Sequence, residues 1–260
     1  DRRRGRGRPM RGALLAVLMA ELPATAEPAC RLALALALDV SGSVDDREDR
    51  LQLDGLAAAL EDPAVVAALV AEGQAPVALA AYEWSSSAYR RLILDWVVIE
   101  DVNVLDMVRA RLRTWPRVQA PEATGLGAAL EYGAALLGRA PFCWDQTLDV
   151  SGDGKNNDWP NPRKSRADGK LAGVRINALA VGRGGDTVGD TGQLPAGVAE
   201  LAAYFRANVI QGPDAFVEVA LGFEDYARAM RRKLLRELAT RPVGQDIPTE
   251  PDRRHALKGQ

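Results

Sequence analysis

The sequence predicts an α/β protein with three layers, in which a mostly parallel sheet of six strands lies between helices. Three observations support this: a length of 260 residues with 47% hydrophobic residues, a nearly unbroken apolar run at 31–40, and strand-like segments that alternate with helical ones. An apolar run of this kind is typical of a central strand that is buried on both faces. The alternation favours a doubly wound sheet with the strand order 3-2-1-4-5-6 and helices on both faces.

The remaining elements follow from apolar spacing and from helix-breaking residues. After the strand at 31–40, helical spacing over 45–60 stops before Asp62-Pro63. The strands predicted at 76–85 and 89–99 are joined by so short a turn that we expect an antiparallel hairpin and an edge position for the second of them. The later predictions are helices at 103–115, 125–137, 196–208 and 223–239 and strands at 146–151, 175–181 and 215–220.

The first 26 residues have the pattern of a secretory signal peptide. Six arginines within 2–11 precede a short apolar run at 12–20 and a small-x-small triplet at 24–26. The apolar run is about half as long as a membrane span requires, so we expect an exported protein, periplasmic or secreted, without a stable membrane span. A basic arm followed by a surface helix is the alternative. The predicted domain then occupies 27–239, and the polar segment 240–260 is predicted to be a disordered tail.

Charge and histidine content exclude several classes of function. The formal net charge is −2, with +4 in residues 1–26 and −6 in residues 27–260. Such an acidic domain lacks the basic face that non-specific nucleic-acid binding requires, so we expect no nucleic-acid partner. The one histidine, His255, lies in the polar tail. This position excludes a Ser-His-Asp triad, a Cys-His pair and a multi-histidine zinc site within the domain.

Polar side chains stand where a site in this fold is expected. Asp39, Ser41 and Ser43 follow the first strand, Thr124 opens the helix before the fourth strand, and Asp153 follows the fourth strand. Ligands of open α/β sheets bind beyond the carboxyl ends of the strands. Each of these residues alone is usually a helix cap or part of a turn. Together they offer carboxylates and hydroxyls, which suit a hard cation such as Mg²⁺.

The same residues carry a resemblance to a known family. The segments 39–43 (DVSGS), 124–130 (TGLGAAL) and Asp153-Gly154 resemble the metal-ion-dependent adhesion site (MIDAS) of von Willebrand factor type A (VWA) domains. The resemblance extends over about 30–239 and implies the Rossmann-like VWA fold. The segments 38–45, 82–84, 149–157 and 209–217 are, more narrowly, similar to an exported bacterial family of VWA-like domains of unknown function.

The resemblance implies a ligand set and a role. Ser41, Ser43 and Thr124 would bind a divalent cation directly, and Asp39 and Asp153 would bind it directly or through water. We expect Mg²⁺, with Mn²⁺ and Ca²⁺ as alternatives. One coordination position would remain for an acidic group of a protein partner, which implies an adhesion-type binding module that is not an enzyme.

Two alternatives to a binding module stay open. A metal-assisted hydrolase or phosphotransferase would use Asp39 as its nucleophile, but the domain offers no histidine base and no Asp-x-Asp pattern. A nucleotide-binding domain would need a glycine-rich phosphate loop after the first strand, where the sequence places an acid. Four polar residues near the predicted site could orient ligands or merely hydrogen-bond within a loop: Ser151, Lys155, Asn156 and Asn157. Trp84 could contact a partner or pack as a buried aromatic.

The two cysteines are predicted to form a disulfide. Cys30 and Cys143 stand at the starts of the first and fourth strands, which are parallel neighbours in the strand order 3-2-1-4-5-6. Neighbouring strands are roughly 4.8 Å apart, within the Cα separation that a disulfide accepts. Export to an oxidising compartment would allow the bond. It would lie at the end of the sheet opposite the metal, and two buried thiols are the alternative.

Overall fold

The computed structural model describes residues 30–182 and 193–239. The predicted signal peptide at 1–26 and the predicted tail at 240–260 lie outside the described residues, as does the domain boundary at residue 27, so these remain predictions. Within the described part of the chain there is no helix with the length and apolarity of a membrane span.

Strands and helices alternate along the described chain. The strands are β1 (Cys30–Asp39), β2 (Val77–Trp84), β3 (Arg90–Ile99), β4 (Cys143–Gly152), β5 (Arg175–Val181) and β6 (Val217–Ala220). The helices are α1 (Asp46–Ala59), α2 (Pro63–Leu69), α3 (Val102–Arg113), α4 (Leu126–Leu137), α5 (Pro162–Ala167), α6 (Ala196–Asn208) and α7 (Tyr226–Leu238), the last preceded by a 3₁₀ turn at Phe223–Asp225.

The six strands form one sheet with the order β3-β2-β1-β4-β5-β6. All neighbouring strands are parallel except β2 and β3, which are antiparallel. The predicted fold class, strand order and antiparallel edge strand are therefore confirmed.

The central strand explains why helices cover both faces of the sheet. All ten residues of β1 are buried, and successive side chains of a strand point to opposite faces. The leucines at 32, 34, 36 and 38 pack into a core with α1, α2, α3 and α7. The alanines at 33, 35 and 37 face a second core with α4 and α6. Burial of every residue on both faces agrees with the place of β1 between β2 and β4 inside the sheet.

Three elements differ from the sequence-based prediction. Asp62-Pro63 not only ends α1 but also begins α2, since Asp62 accepts hydrogen bonds at the helix N-cap and proline suits the first turn. Asn161-Pro162 begins α5 in the same way. β4 starts at Cys143 and not at residue 146, because this polar stretch pairs with β1 from Cys30 onward.

The register of the sheet brings the two cysteines together. Cys30 pairs with Cys143 at the first position of the β1–β4 ladder. Their Cα atoms are 4.5 Å apart and their sulfurs are joined in a disulfide. This pairing agrees with the prediction from the strand order and lies at the amino ends of both strands.

Candidate metal site

The turn after β1 is held between a buried strand and a capped helix. The Asp45 side chain accepts a hydrogen bond from the backbone N–H of Glu48, and the Glu48 carboxylate accepts one from the backbone N–H of Asp45. This reciprocal cap fixes the start of α1. The backbone N–H of Gly42 donates to the carbonyl of Glu122, 3.1 Å away. A Cβ on Gly42 would lie 2.8 Å from the Cα of Glu122, so only glycine allows this approach.

The five residues predicted to hold a cation lie together at the carboxyl ends of β1 and β4. The Ser43 hydroxyl donates to Asp153 Oδ1 at 2.6 Å, and the Oγ atoms of Ser41 and Ser43 are 3.5 Å apart. The Thr124 hydroxyl lies 3.3 Å from Ser41 Oγ. The backbone N–H of Ser41 donates to Asp39 Oδ1 at 2.8 Å. Three separate segments therefore converge on one cluster of oxygen atoms.

Asp39 has the features of a cation ligand. Its side chain is buried, and its Oδ2 atom has no hydrogen-bond partner among the described residues. Burial, together with the nearby charge of Asp153, raises the pKa of Asp39 to about 7. A Cβ at residue 152 would lie 2.9 Å from Asp39 Oδ2, so Gly152 leaves room for that oxygen. A buried carboxylate oxygen beside a second acid favours a positive charge between them.

The donor set fits a hard divalent cation. It consists of two carboxylates and three hydroxyls, and oxygen ligands of this kind are those of Mg²⁺, Mn²⁺ and Ca²⁺. Residues 30–182 and 193–239 contain no cluster of three or more histidine, cysteine or acidic side chains that could hold a metal. Hydroxyl groups would therefore supply much of the coordination at this site.

The flanking asparagines hold the loop that carries Thr124. Asn157 Oδ1 accepts from the backbone N–H of Thr124 at 2.8 Å, and the backbone N–H of Asn157 donates to the Thr124 carbonyl at 3.0 Å. Asn156 Oδ1 accepts from the backbone N–H of Gly127, in the first turn of α4. Lys155 instead points to Glu200 in an ion pair of 2.5 Å. The asparagines thus make loop hydrogen bonds that also position a candidate ligand.

A series of buried hydrogen bonds, which the sequence analysis did not predict, holds the backbone at Asp39. Gln52 Nε2 donates to the backbone carbonyl of Asp39 at 3.0 Å. The Ser151 hydroxyl lies 3.2 Å from Gln52 Oε1, and the Tyr226 hydroxyl lies 3.1 Å from Ser151 Oγ. Ser151 therefore faces the interior and not the cluster of ligands. The signal in the sequence was a polar residue one helical turn before Leu56, on the apolar face of α1.

The aromatic residue exposed near this end is not the one considered from the sequence. Trp84 is fully buried, so it packs in the core and does not form a contact surface. Trp159 is 64% exposed. The ammonium of Lys164 lies 4.7 Å from its ring centroid. The neighbouring Asp158 accepts a hydrogen bond from the backbone N–H of Ser87, which ties this segment to the end of β2.

An open cleft of about 1210 Å³ adjoins the candidate ligands. It runs from Ser41 and Gly42 across the start of α1. The guanidinium of Arg117 lies 2.7 Å from Asp46 and 3.6 Å from Asp49 beside it. The other residues that line the cleft are Val40, Val44, Asp45, Arg47, Arg50, Trp115, Pro116, Gln119, Ala120 and Glu122. Charges of both signs therefore border the site.

Comparison with known proteins places the chain in a family. The family model described as "Protein of unknown function (DUF1194)" matches residues 29–242, which is most of the sequence. The chain belongs to the DUF1194 family. No curated protein sequence matches it.

Solved structures show that this DUF1194 chain has a VWA fold. Proximal thread matrix protein 1 from the mussel byssus, solved with a zinc-occupied MIDAS motif, is 14% identical with a TM-score of 0.56, over 82% of this chain and 49% of its own. The pilus adhesin SpaC from Lactobacillus rhamnosus GG is 13% identical with a TM-score of 0.55, over 80% and 30%. A von Willebrand factor type A protein from Catenulispora acidiphila is 13% identical with a TM-score of 0.52, over 80% and 43%. The chain spans less than half the length of each of these three proteins.

Proposed function

We propose that this DUF1194 chain is an exported protein-interaction module that binds an acidic group of a protein partner through a divalent cation. The observation that carries the proposal is the convergence of three hydroxyls and a second carboxylate beside the buried carboxylate of Asp39. The zinc-occupied MIDAS motif of the mussel protein, which shares the fold, supports a cation at the corresponding end of the sheet.

Each candidate residue has a part in the proposed site. The hydroxyls of Ser41, Ser43 and Thr124 bind the cation, and Asp39 and Asp153 supply negative charge. Asp153 also orients Ser43 through their hydrogen bond of 2.6 Å. A bound cation would supply an open coordination position for a carboxylate of the partner. We propose Mg²⁺ as the resident ion, because a site with few charges and several hydroxyls suits an ion that keeps part of its water shell.

The arrangement supports binding more than catalysis. Asp39, the only nucleophile considered from the sequence, is 1% exposed. Histidine, the most common general base, is absent from residues 30–182 and 193–239, and the carboxylates of Asp39 and Asp153 are ones that the proposed cation requires. The cleft beside Ser41 and Gly42 gives a partner a surface with paired charges, which suits a protein and its acidic group.

Export is proposed on two grounds. The sequence of residues 1–26 predicts a signal peptide. A disulfide between Cys30 and Cys143 suits an oxidising compartment. Immunoblotting of periplasmic and culture-medium fractions would identify the destination, and retention of the full-length protein in the cytoplasm would contradict export.

Calorimetry tests the metal site. We expect EDTA-treated protein to bind Mg²⁺ at one site, and Asp39→Ala to weaken binding by roughly 100-fold or more, because it removes a buried charged ligand. Titrations with Mn²⁺ and Ca²⁺ would rank the alternatives. The matched control is Asp95→Ala, which removes an exposed aspartate on β3 that pairs with Arg139. Equal Mg²⁺ binding by wild type and Asp39→Ala would refute the site.

A pulldown tests the dependence of partner binding on the metal. The purified chain is mixed with outer-membrane and secreted proteins of its source cells, with Mg²⁺ or with EDTA. Partners should be recovered only with Mg²⁺, and Thr124→Ala should lose them while keeping its unfolding midpoint, because the hydroxyl serves the ion and not the core. Recovery of the same partners in EDTA would show that the adhesion mechanism is wrong.

A further inference from the structure

A buried lysine lies between two acids on the far side of the sheet from α4. Lys233 of α7 is fully buried, and its Nζ atom is 2.6 Å from Asp149 Oδ1 on β4 and 2.6 Å from Glu237 Oε1. Asn177 Nδ2 donates to the same Glu237 oxygen at 2.8 Å. The ring centroid of Phe216 lies 5.3 Å from Nζ. An amine, two carboxyl groups and an aromatic ring therefore share one buried pocket.

The charges of this cluster do not balance. One ammonium and two carboxylates would leave a net negative charge away from water, which is costly in a protein interior. Burial, with a contribution from Glu237, raises the pKa of Asp149 to about 7 despite the opposing effect of Lys233. Neither oxygen of Asp149 has a hydrogen-bond partner of ordinary geometry among the described residues. The pocket thus favours a protonated Asp149 in direct contact with the lysine.

We propose that Lys233 and Asp149 form an intramolecular isopeptide bond, with Glu237 as the catalytic base. In this step Glu237 takes one proton from the ammonium, and the freed amine attacks Cγ of the protonated Asp149. The C–N bond forms, the bond from Cγ to the hydroxyl breaks, and the second amine proton leaves with that hydroxyl as water. The products are a neutral amide, a protonated Glu237 and one water. This proposal does not depend on the metal site.

Geometry and dielectric both favour the step. Groups held in contact react with effective concentrations far above those in solution. Burial alone would lower the pKa of Lys233, but Asp149 and Glu237 raise it. The amine therefore becomes free only when a carboxylate takes its proton, and Glu237 lies at the required distance. The condensation replaces buried charges by a neutral amide and removes their desolvation cost.

Mass spectrometry of the folded full-length chain tests the proposal. After reduction and denaturation, with the N-terminus read from fragments, the wild type should be lighter than its sequence by one water. A digest should contain one branched peptide that joins Asp149 to Lys233. The exposed Lys155–Glu200 pair, 2.5 Å apart, is the internal control and should remain unlinked, because water surrounds it. A wild-type mass without the loss overturns the proposal, whatever the variants do.

Two variants assign the roles. Lys233→Met should show no loss of water, because the amine is gone. Glu237→Gln keeps the shape but not the base, and linkage should slow by about 100-fold or more. Loss of ammonia in place of water would make Asn177 the electrophile and overturn the role of Asp149. Water loss that persists in Lys233→Met, or at an unchanged rate in Glu237→Gln, would overturn the assignment to these residues.

Discussion

β1 and β4 run side by side, and their two ends are held in opposite ways. At the amino ends, Cys30 and Cys143 are joined by a disulfide with a Cα separation of 4.5 Å. At the carboxyl ends, Asp39 and Asp153 bring like charges together, and burial with this repulsion raises the pKa of Asp39 to about 7. One end is therefore tied covalently, and the other carries a repulsion that the proposed cation would offset. We therefore expect changes at the amino ends to affect mainly stability and changes at the carboxyl ends to affect mainly cation binding.

The largest expected effect on stability comes from the disulfide at the amino ends of β1 and β4. Replacing both cysteines in Cys30→Ala/Cys143→Ala should lower the free energy of unfolding by about 2–5 kcal/mol, because the disulfide constrains a long loop in the unfolded chain. The sequence separation of 113 residues places it among the larger loops. Denaturant unfolding without metal measures the loss. Reductant should lower the unfolding midpoint of the wild type to that of the variant and leave the midpoint of the variant unchanged. Equal midpoints for both proteins, with and without reductant, would contradict a structural disulfide.

A second substitution should strain the turn after β1, at the end of the sheet where the candidate metal site lies. Gly42→Ala would place a Cβ 2.8 Å from the Cα of Glu122, and such overpacking costs about 1–3 kcal/mol. Because the turn also carries Ser41 and Ser43, calorimetry should show weaker Mg²⁺ binding as well. The matched control is Gly197→Ala in α6, where the added Cβ meets no atom of residues 30–182 or 193–239 within 4 Å. The control should not lower the free energy of unfolding, because alanine replaces glycine in a helix without a steric clash. Unchanged Mg²⁺ affinity in Gly42→Ala would mean that the turn is not part of the site.

A smaller effect should come from a residue that positions a ligand. Asn157→Ala removes the acceptor for the backbone N–H of Thr124, and the loss of such outer contacts typically weakens metal binding by about 10-fold or more. Calorimetry with Mg²⁺ measures it. Asn161→Ala removes a similar cap from Arg163 in α5 and should leave Mg²⁺ affinity unchanged. An Asn157→Ala affinity equal to that of the wild type would limit Asn157 to loop stability.

The smallest expected effect is the coupling between the two ends. Nine steps of strand separate Cys30 from Asp39, about 30 Å in an extended chain. The stabilisation by saturating Mg²⁺ should therefore be the same in the wild type and in Cys30→Ala/Cys143→Ala to within about 0.5 kcal/mol. Thermal or denaturant unfolding of both proteins with and without Mg²⁺ completes the cycle. A coupling well above that value would show that the disulfide shapes the metal end.

The sequence predicted the sheet because its central strand has a clear pattern. The run at 31–40 is apolar on both faces, and only a central strand needs such residues. The start of β4 was missed because Trp144 and Asp145 are exposed and resemble a loop, although Asp145 pairs with Leu32. The sequence prediction lacks α2 because Asp62-Pro63 indicates the end of α1, whereas proline also suits the first turn of a new helix. It also lacks α5, a helix of six residues that begins with Pro162.

The candidate metal ligands could be predicted from the sequence, but the buried polar residues that hold the backbone around them could not. The Asp-x-Ser-x-Ser pattern after β1 placed three of the five residues by itself. By contrast, Gln52 donates to the carbonyl of Asp39, and the sequence indicates this only by a polar residue on the apolar face of α1. Lys233 was also missed, because a lysine in a basic helix predicts a solvated face until the structure places Asp149 against it. Long-range contacts of single polar residues leave little trace in a local pattern.

The strand order has a consequence for the growing chain. β1 pairs with β2 on one side, within the first part of the sequence, but its other neighbour begins only at Cys143. A polypeptide that ends before Cys143 leaves one edge of β1, a strand rich in leucine and alanine, without a neighbouring strand. Unpaired apolar edges of this kind recruit other chains. Interrupted synthesis or premature cleavage would therefore release fragments that aggregate through this edge. A chaperone would be needed most during the interval before β4 has been synthesised.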